Sequence, residues 1–474
     1  MNKGISLREV KNIGPEFIKD FVARADNGKN YTFKGRITAV RNHSKRTFFD
    51  LSDHTGTIQI VIEEEKFKDY KEIISLSPAS YIEVSGEYSN SRQPSELKAD
   101  SIKILSEATL PLSPTPWKID GSSSDNVNQV FGYTGFYLAN PQRAAILKIK
   151  TNFVNALHEY FQNNKFTLVE PPILTNKILY EPEKAINAEV HGEKVFLSQC
   201  ATFELEALAM VFGKVYTISP AFRNEKGGSK RHLAEYSHAK AEVLFANVDD
   251  LIFLAGDSIY NAMKKTVEIS GKELEILGVK VDLELLNPKS HLSMTYDEAV
   301  KILHDNDSKI VYGEGLARSD EMILTKHVGN KYLWVKFLPF ASEGFPYKKV
   351  LGSPHLSMTC DLIAPHGAGE MVGVAEKTTD IEEIIDNLIK KGKKKEIKRY
   401  WKYVLLRKYG LPSHGGIGAA PERIIYGLLG LNHIRLTKPW PRYPDRKINP
   451  ITKDKLNPWK DKDLDKIIKK YNLK

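Results

Sequence analysis

Between residues 30 and 108 apolar and polar positions alternate in short runs: YTFKGRITAVRN, TFFDLSDHTGTIQIVIEE, YIEVSGEYS and ELKADSIKILS. A period of two marks half-buried strands, and Asp53-His54-Thr55-Gly56 is a turn between two of them. Strands at this spacing predict a small barrel. Before it, residues 5–27 carry a helical pattern that ends at the Asn27-Gly28 turn signal. From Asn140 the spacing changes. Ala145, Ile146, Ile149, Phe153, Leu157 and Phe161 predict a helix, followed by a strand, KFTLVEPPILT, that runs into prolines. Helical spacing returns at 250–266, 294–305 and 380–408. VYTISPAF (215–222) and VLFA (243–246) flank a polar, basic stretch, which predicts strand, flexible loop, strand.

These patterns divide the chain into a helical lead-in (1–29), the strand-rich domain (30–108), a linker (109–139), a large domain (140–450) and a charged tail (451–474). The linker EATLPLSPTPWKIDGSSSDNVNQ has the Pro, Ser and Gly content of a segment between domains. The fold class expected is α+β. At 474 residues, with 41% hydrophobic and 27% charged positions, the chain has ample material for a large core. Its net charge of +10 suits a polyanionic partner without requiring one. Cys200 and Cys360 make neither a disulfide framework nor a zinc-ligand pair. No apolar run is long enough to span a membrane and MNKGISLREVKNIG has no apolar core of a secretory signal, so a cytoplasmic enzyme is expected.

Candidate chemistry concentrates in FRNEKGGSKRHLAEYSHAKAE (222–242). Arg223 offers a planar fork for an α-phosphate. Glu225 is an acceptor for an adenine amino group. Lys226, Lys230, Arg231 and His232 suit outer phosphates, and Tyr236 suits a purine face. By residue type alone, two surface strands with a charged hairpin remain an open alternative. The stretch resembles motif 2 of the class II aminoacyl-tRNA synthetases, within class IIb closest to the asparaginyl enzymes, with the aspartyl enzymes next.

That resemblance extends over about residues 30–450. HGGIGAAPERIIYGLLG (414–430) is similar to motif 3: Arg423 would reach the γ-phosphate, and Gly415, Gly416 and Gly418 would let ATP approach the backbone. The helix at 140–164 and the strand ending at Pro172 resemble motif 1, which implies a homodimer. In TCDLIAPHGAGEMVGVAEK (359–377), the resemblance makes Asp361 and Glu370 ligands of Mg²⁺. GRITAVRNHSKRTFFDLSDHTGTIQIVI resembles the family's N-terminal OB-fold. There Phe48 would stack on the central anticodon base, Gln59 would read its edge, and Arg41 and Lys45 would contact phosphate. On residue type alone, Phe48 reads first as a core aromatic and Gln59 as a solvated strand residue. The implied architecture is an OB-fold barrel followed by an antiparallel catalytic sheet flanked by helices.

The implied activity is a ligase using ATP and Mg²⁺, which joins an amino acid to tRNA through an aminoacyl-adenylate, asparagine being the first choice. The amino-acid side of the site departs from the family. Gln199 is retained, but Thr202 occupies the second glutamine position of Gln-Ser-x-Gln, and Lys377 replaces an arginine that grips the substrate side chain. A lysine cannot reproduce a bidentate fork. Gln199, Glu242 and Lys377 are the amino-acid-binding candidates, with residues 180–195 expected as a mobile loop above them. Two alternatives follow from these changes: a paralogue using aspartate, another amino acid or a non-tRNA acceptor, as in amide-forming ligases; and a non-catalytic tRNA-binding protein. The barrel argues for tRNA, and retention of Arg223, Glu225, Glu370 and Arg423 argues for catalysis.

Overall fold

The protein is described by a computed structural model over residues 18–53, 55–91, 94–108, 140–180, 182–224, 229–442, 466 and 469–471. Residues 1–17 of the lead-in, the 109–139 linker and most of the 451–474 tail lie outside the described residues. The chain separates into two compact units at residues 117/118.

In the first unit, β1 (Asn30–His43), β2 (Arg46–Ser52), β3 (Thr57–Glu63), β4 (Tyr81–Ser89) and β5 (Glu96–Ser106) close into a barrel in the order β1-β2-β3-β5-β4. The alternation explains the closure. Phe49, Leu51, Ile58, Ile60 and Ile62 point inward and are buried, which leaves the intervening positions on the outer face. Two short helices, α1 (Ile18–Val22) and α2 (Tyr70–Ile74), add Ile18, Phe21, Tyr70 and Ile73 to that core. The predicted turn after β2 is held by Asp53, whose carboxylate accepts from the amides of Ile18 (2.7 Å), Thr55 (2.6 Å) and Gly56 (2.9 Å). Burial would raise the Asp53 pKa, but these hydrogen bonds hold it below the usual value.

The second unit is built on an eight-stranded sheet. Its strands are β6 (Thr167–Leu168), β10 (Lys214–Phe222), β11 (Glu235–Leu244), β12 (Leu292–Thr295), β13 (Leu333–Lys336), β16 (Thr359–Ala364), β17 (Gly369–Lys377) and β18 (His414–Ala419). Their order is β12-β13-β16-β17-β18-β11-β10-β6. The centre is antiparallel as expected; only the outermost pairs, β12 with β13 and β10 with β6, are parallel. Two long helices, α3 (Pro141–Asn163) and α4 (Val248–Ile269), cover one face. The Asn140 side chain caps α3 at the Arg143 amide, and Asn247 opens α4 with a capping box closed by Asp250. All six apolar positions predicted for the first helix are buried. Ala239, Ala241, Val372, Val374, Ile417 and Ala419 meet these helices, so the residues between them turn to the opposite face.

Three expectations change. The strand over 166–175 is broken into β6 and β7 (Leu174–Thr175), because Pro171 and Pro172 lack the N–H a ladder needs. The 180–195 segment contains a hairpin, β8 (Asn187–Val190) and β9 (Glu193–Leu197), which β7 extends to three strands. Its turn residues His191 and Gly192 both have positive φ (52° and 79°), the geometry that matches strand twist. The 380–408 helix is two, α5 (Ile381–Lys390) and α6 (Ile397–Val404). In the basic run between them, Lys391 donates to the carbonyls of Phe340 and Ala341, and Lys393 to that of Tyr180.

The barrel makes a testable demand at Gly86, where β4 bulges against β5. A Cβ there would overlap the Lys98 carbonyl oxygen and sit 2.9 Å from Ala99 Cα, both backbone atoms that cannot swing aside. Gly86→Ala is expected to cost about 1–3 kcal/mol, read as an earlier barrel transition in thermal or urea unfolding. An unchanged transition would refute this packing.

Candidate active site

The uncovered face of the sheet carries the polar residues, and register decides which of them meet. Along β11 the alternation puts Tyr236, His238, Lys240 and Glu242 on one side. Cross-strand pairing then aligns one row, Asp361–Gly373–Gly418–Lys240–Thr217, and a neighbouring row, Thr359–Ala375–Gly416–Glu242–Val215. Glycines in the middle of each row lower the floor. A side chain at Gly416 would overlap the Glu242 carboxylate, and one at Gly418 would lie 3.0 Å from His238 Nε2.

Above this floor an open cleft is lined by Arg223, Arg231, His232, Leu233, Tyr236, His238, Glu370, Met371, Gly418, Ala419, Ala420, Arg423 and Ile434. Seven residues singled out in the sequence therefore surround one space: Arg223, Arg231, His232, Tyr236, Glu370, Gly418 and Arg423. Glu225 lies outside the described residues. The Arg223 guanidinium stacks 4.7 Å from the Tyr180 ring centroid. Arg423 begins one turn into α7 (Pro421–Leu428), with Pro421 in the first helical position. It donates to the Glu370 carbonyl at 3.0 Å and stands 3.9 Å from the Glu370 carboxylate. Arg231 lines the cleft but is mostly buried, and its guanidinium is held by Glu321 at 2.6 Å. His232 Nδ1 shares a hydrogen bond with Ser229 Oγ at 2.7 Å.

Asp361 and Glu370 come together because β17 carries a bulge. The ladder pairs Leu362 with Val372 but Ile363 with Glu370, so Met371 is the extra residue. That insertion turns Glu370 to the Asp361 side: both carboxylates lie within 4 Å of the point where a Cβ of Gly373 would be. Burial, and then Glu370, Glu343 and Glu321, push the Asp361 pKa well above its ordinary value. Burial and Glu370 likewise raise Glu343 to about 7. Such crowded carboxylates call for a cation or protons. Two hard oxygen donors suit Mg²⁺, which takes few protein ligands beside phosphates. Among the described residues no group of three or more His, Cys, Asp or Glu side chains is arranged to hold a metal.

Two of the amino-acid candidates, Glu242 and Lys377, lie further along the same face. Glu242 and Lys377 are almost fully buried and form an ion pair with each other. Gln199 is buried and accepts from the Tyr180 amide at 3.1 Å. Two residues not assigned from the sequence join them. His238 lines the cleft with its pKa drawn well down by burial, then by Lys240 and Arg223, so its imidazole is neutral. Lys240 is 7% exposed and donates to Thr202 Oγ1 at 2.6 Å. Their signal was present in the sequence: in HAKAE the polar residues recur at every second position of a strand.

On the barrel, Arg41, Phe48 and Gln59 occupy one outer face, since Arg41 pairs with Phe48 and Asp50 with Gln59. Phe48 is half-buried and meets His43 edge-on. The Arg41 guanidinium grips both Asp50 oxygens (2.7 and 2.8 Å) and donates to Gln59 Oε1 at 3.1 Å, an arrangement that orients the amide.

Comparison with known proteins agrees with this geometry. The family described as tRNA synthetases class II (D, K and N) matches residues 128–444, and the OB-fold nucleic acid binding domain matches residues 31–105. Asparagine--tRNA ligase of Thermococcus kodakarensis is 27% identical over 427 residues, covering 88% of this chain and 96% of that protein. The asparaginyl-tRNA synthetase of Pyrococcus horikoshii complexed with asparaginyl-adenylate has the same fold, with a TM-score of 0.83 at 24% identity, over 92% of this chain and 99% of that one. The Entamoeba histolytica enzyme, also in complex with asparaginyl-adenylate, gives 0.78 at 24% identity over 90% and 98%.

The buried pair generates a prediction about stability. Lys377→Met strands the Glu242 charge in the interior and is expected to destabilise the second unit by about 3–5 kcal/mol. Denaturant unfolding measures this; a loss below 1 kcal/mol, on the order of a surface ion pair, would mean the pair is solvated.

Proposed function

This chain belongs to the class II tRNA synthetases (D, K and N), and from that premise we propose that it joins asparagine to tRNA(Asn) through an asparaginyl-adenylate. The observation that carries the reading is the convergence of Arg223, His232, Tyr236, Glu370, Gly418 and Arg423, drawn from three separate stretches of sequence, on a single cleft.

In this reading the asparagine carboxylate attacks the α-phosphorus of ATP, and pyrophosphate departs on the opposite side. Arg223 stabilises charge on the α-phosphate, and its stacking on Tyr180 holds the guanidinium in place beforehand. Tyr236 faces the purine. Arg423 and His232 hold the outgoing pyrophosphate. Arg231, tied to Glu321, contributes positive potential from the wall of the cleft. Asp361 and Glu370 would hold Mg²⁺, which supplies positive charge to the phosphates. The terminal ribose hydroxyl of tRNA then attacks the adenylate carbonyl, forming the ester as the bond to the phosphate oxygen breaks and AMP departs. No covalent enzyme intermediate is needed, since alignment and fixed charge carry the rate.

The barrel face bearing Phe48 and Gln59 is assigned to the anticodon, with Phe48 stacking and the Arg41-oriented Gln59 reading a base edge. We assign α3 and the β6 edge, where Leu168, Ile173 and Leu174 are exposed, to a second copy of the chain in a homodimer. A cytoplasmic location goes with this activity. No helix among the described residues is long and apolar enough to cross a membrane.

Amino-acid-dependent ATP–pyrophosphate exchange across the twenty amino acids tests the reading. Exchange with asparagine is expected; exchange with a different amino acid alone would overturn it. Arg223→Ala is expected to lower the asparagine-dependent rate by about 10²–10³-fold, and near-normal exchange in this variant would remove Arg223 from the mechanism. For the barrel, Phe48→Ala is expected to weaken tRNA binding by about 1–3 kcal/mol at fixed salt, while adenylate formation without tRNA is unaltered. Undiminished affinity would move the anticodon contact elsewhere.

A further inference from the structure

The wall of the site beyond the cleft contains buried polar capacity that the protein itself does not use. Glu242 is fully buried; its Oε2 is engaged by Lys377, and its Oε1 has no hydrogen-bond partner among the described residues. Gln199 is 4% exposed; its Oε1 accepts from Tyr180, and its Nε2 has no partner among the described residues. Lys240 contacts the neutral hydroxyl of Thr202, which leaves an ammonium with three N–H donors short of acceptors. Burial draws its pKa below the usual lysine value, as expected of a cation without enough counter-charge. Unsatisfied buried polar atoms are costly and in native proteins usually await a ligand or water.

These atoms stand together. Lys240 and Glu242 are alternate residues on one face of β11, roughly 7 Å apart along the strand. Lys240 shares its row with Gly373 and Gly418, and Gly418 lines the nucleotide cleft, so this wall adjoins the point where an adenylate would form. The wall offers one acceptor, Glu242 Oε1, beside N–H donors from Lys240. A primary carboxamide is the complement, with one carbonyl oxygen and two N–H groups. A carboxylate has two acceptor oxygens, and one of them would face Glu242 Oε1, lone pair to lone pair.

We propose that Lys240 holds the side-chain oxygen of the amino-acid substrate while Glu242 Oε1 accepts from its amide nitrogen. Lys377, at the position where the family resemblance led us to expect the gripping group, is spent on Glu242 and acts by fixing that carboxylate. The proposal rests on the reading of the chain as an amino-acid-activating enzyme and adds the residues that select an amide.

The test is amino-acid-dependent ATP–pyrophosphate exchange with the full-length chain, using asparagine and aspartate. The wild-type chain is expected to favour asparagine. Lys240→Met, close to lysine in shape, is expected to raise the asparagine KM by about 10- to 100-fold, with the ATP KM and the melting temperature unchanged. Lys240→Arg, which keeps the charge, should recover part of the loss. Thr202→Val removes only the hydroxyl that anchors the ammonium, and should raise the asparagine KM at constant ATP KM. It carries the test if Lys240→Met does not fold. An unchanged asparagine KM in Lys240→Met, or in Thr202→Val where the former does not fold, overturns the role of Lys240. A parallel rise in the ATP KM overturns it too, in favour of a structural role. Wild-type preference for aspartate overturns the amide half of the proposal. Absence of exchange with any amino acid overturns the activating reading itself, and is distinguished by failing already in the wild-type chain.

Discussion

Antiparallel register in the central sheet is the constraint on which the site depends. Side chains alternate between faces with a period of two, so a shift of one residue would bury Lys240 and Glu242 under the helices and expose Ala239 and Ala241. The apolar set facing α3 and α4 prevents that slip, since moving it to the site face would forfeit its burial. The hydrophobic core therefore aims the polar residues, although it touches no substrate. At β17 the same logic is used in reverse. A single bulge at Met371 breaks the alternation once and carries Glu370 across to Asp361.

Further along the same face of the sheet lies a buried ionic layer. Glu206 receives Arg407 at 2.8 Å, His414 at 3.1 Å and the Tyr403 hydroxyl at 2.7 Å. Burial would raise the Glu206 carboxyl, but Arg407 and then His414 pull it below the usual carboxylate range. A depressed carboxylate stabilises the fold above its unfolded pKa and loses that contribution only as pH falls through the lower folded value, so this network persists into strong acid. Glu422 plays a corresponding part at the start of α7, where it joins Lys150 of α3 at 2.6 Å to the Ser237 amide of β11 at 3.1 Å. That tie connects the helix bearing Arg423 to the strand bearing Tyr236 and His238. Prepaid alignment of this kind allows fixed charges to act on a substrate without reorganising.

Tyr180 links the hairpin segment to both halves of the site. Its carbonyl accepts from Lys393, its amide donates to Gln199, and its ring supports Arg223. The start of the segment that precedes the β8–β9 hairpin is thus anchored to the nucleotide side through one residue and to the amino-acid side through another. The basic run at 390–395 contributes to this by placing Lys393 inside the protein.

The sequence by itself determined most elements and singled out residues that meet in the cleft. A period of two over 30–108 marks half-buried strands, and the six apolar positions of α3 carry their own spacing. Arg223, Tyr236, Gly418 and Arg423 were legible because each belongs to a short contiguous stretch that resembles a family motif. Only the tertiary structure decided the pairings. Lys377 and Glu242 are 135 residues apart, and nothing in either neighbourhood names the other. Arg231 meets Glu321 from 90 residues away. The bulge at Met371 was hidden because a one-residue insertion in an apolar strand has no compositional mark. Lys240, a lysine between alanines, reads as a solvated strand residue until the sheet is assembled around it. Burial and hydrogen-bond partnership are properties of chain segments brought together from a distance, and the local alternation that reveals a strand does not say which strand will lie beside it.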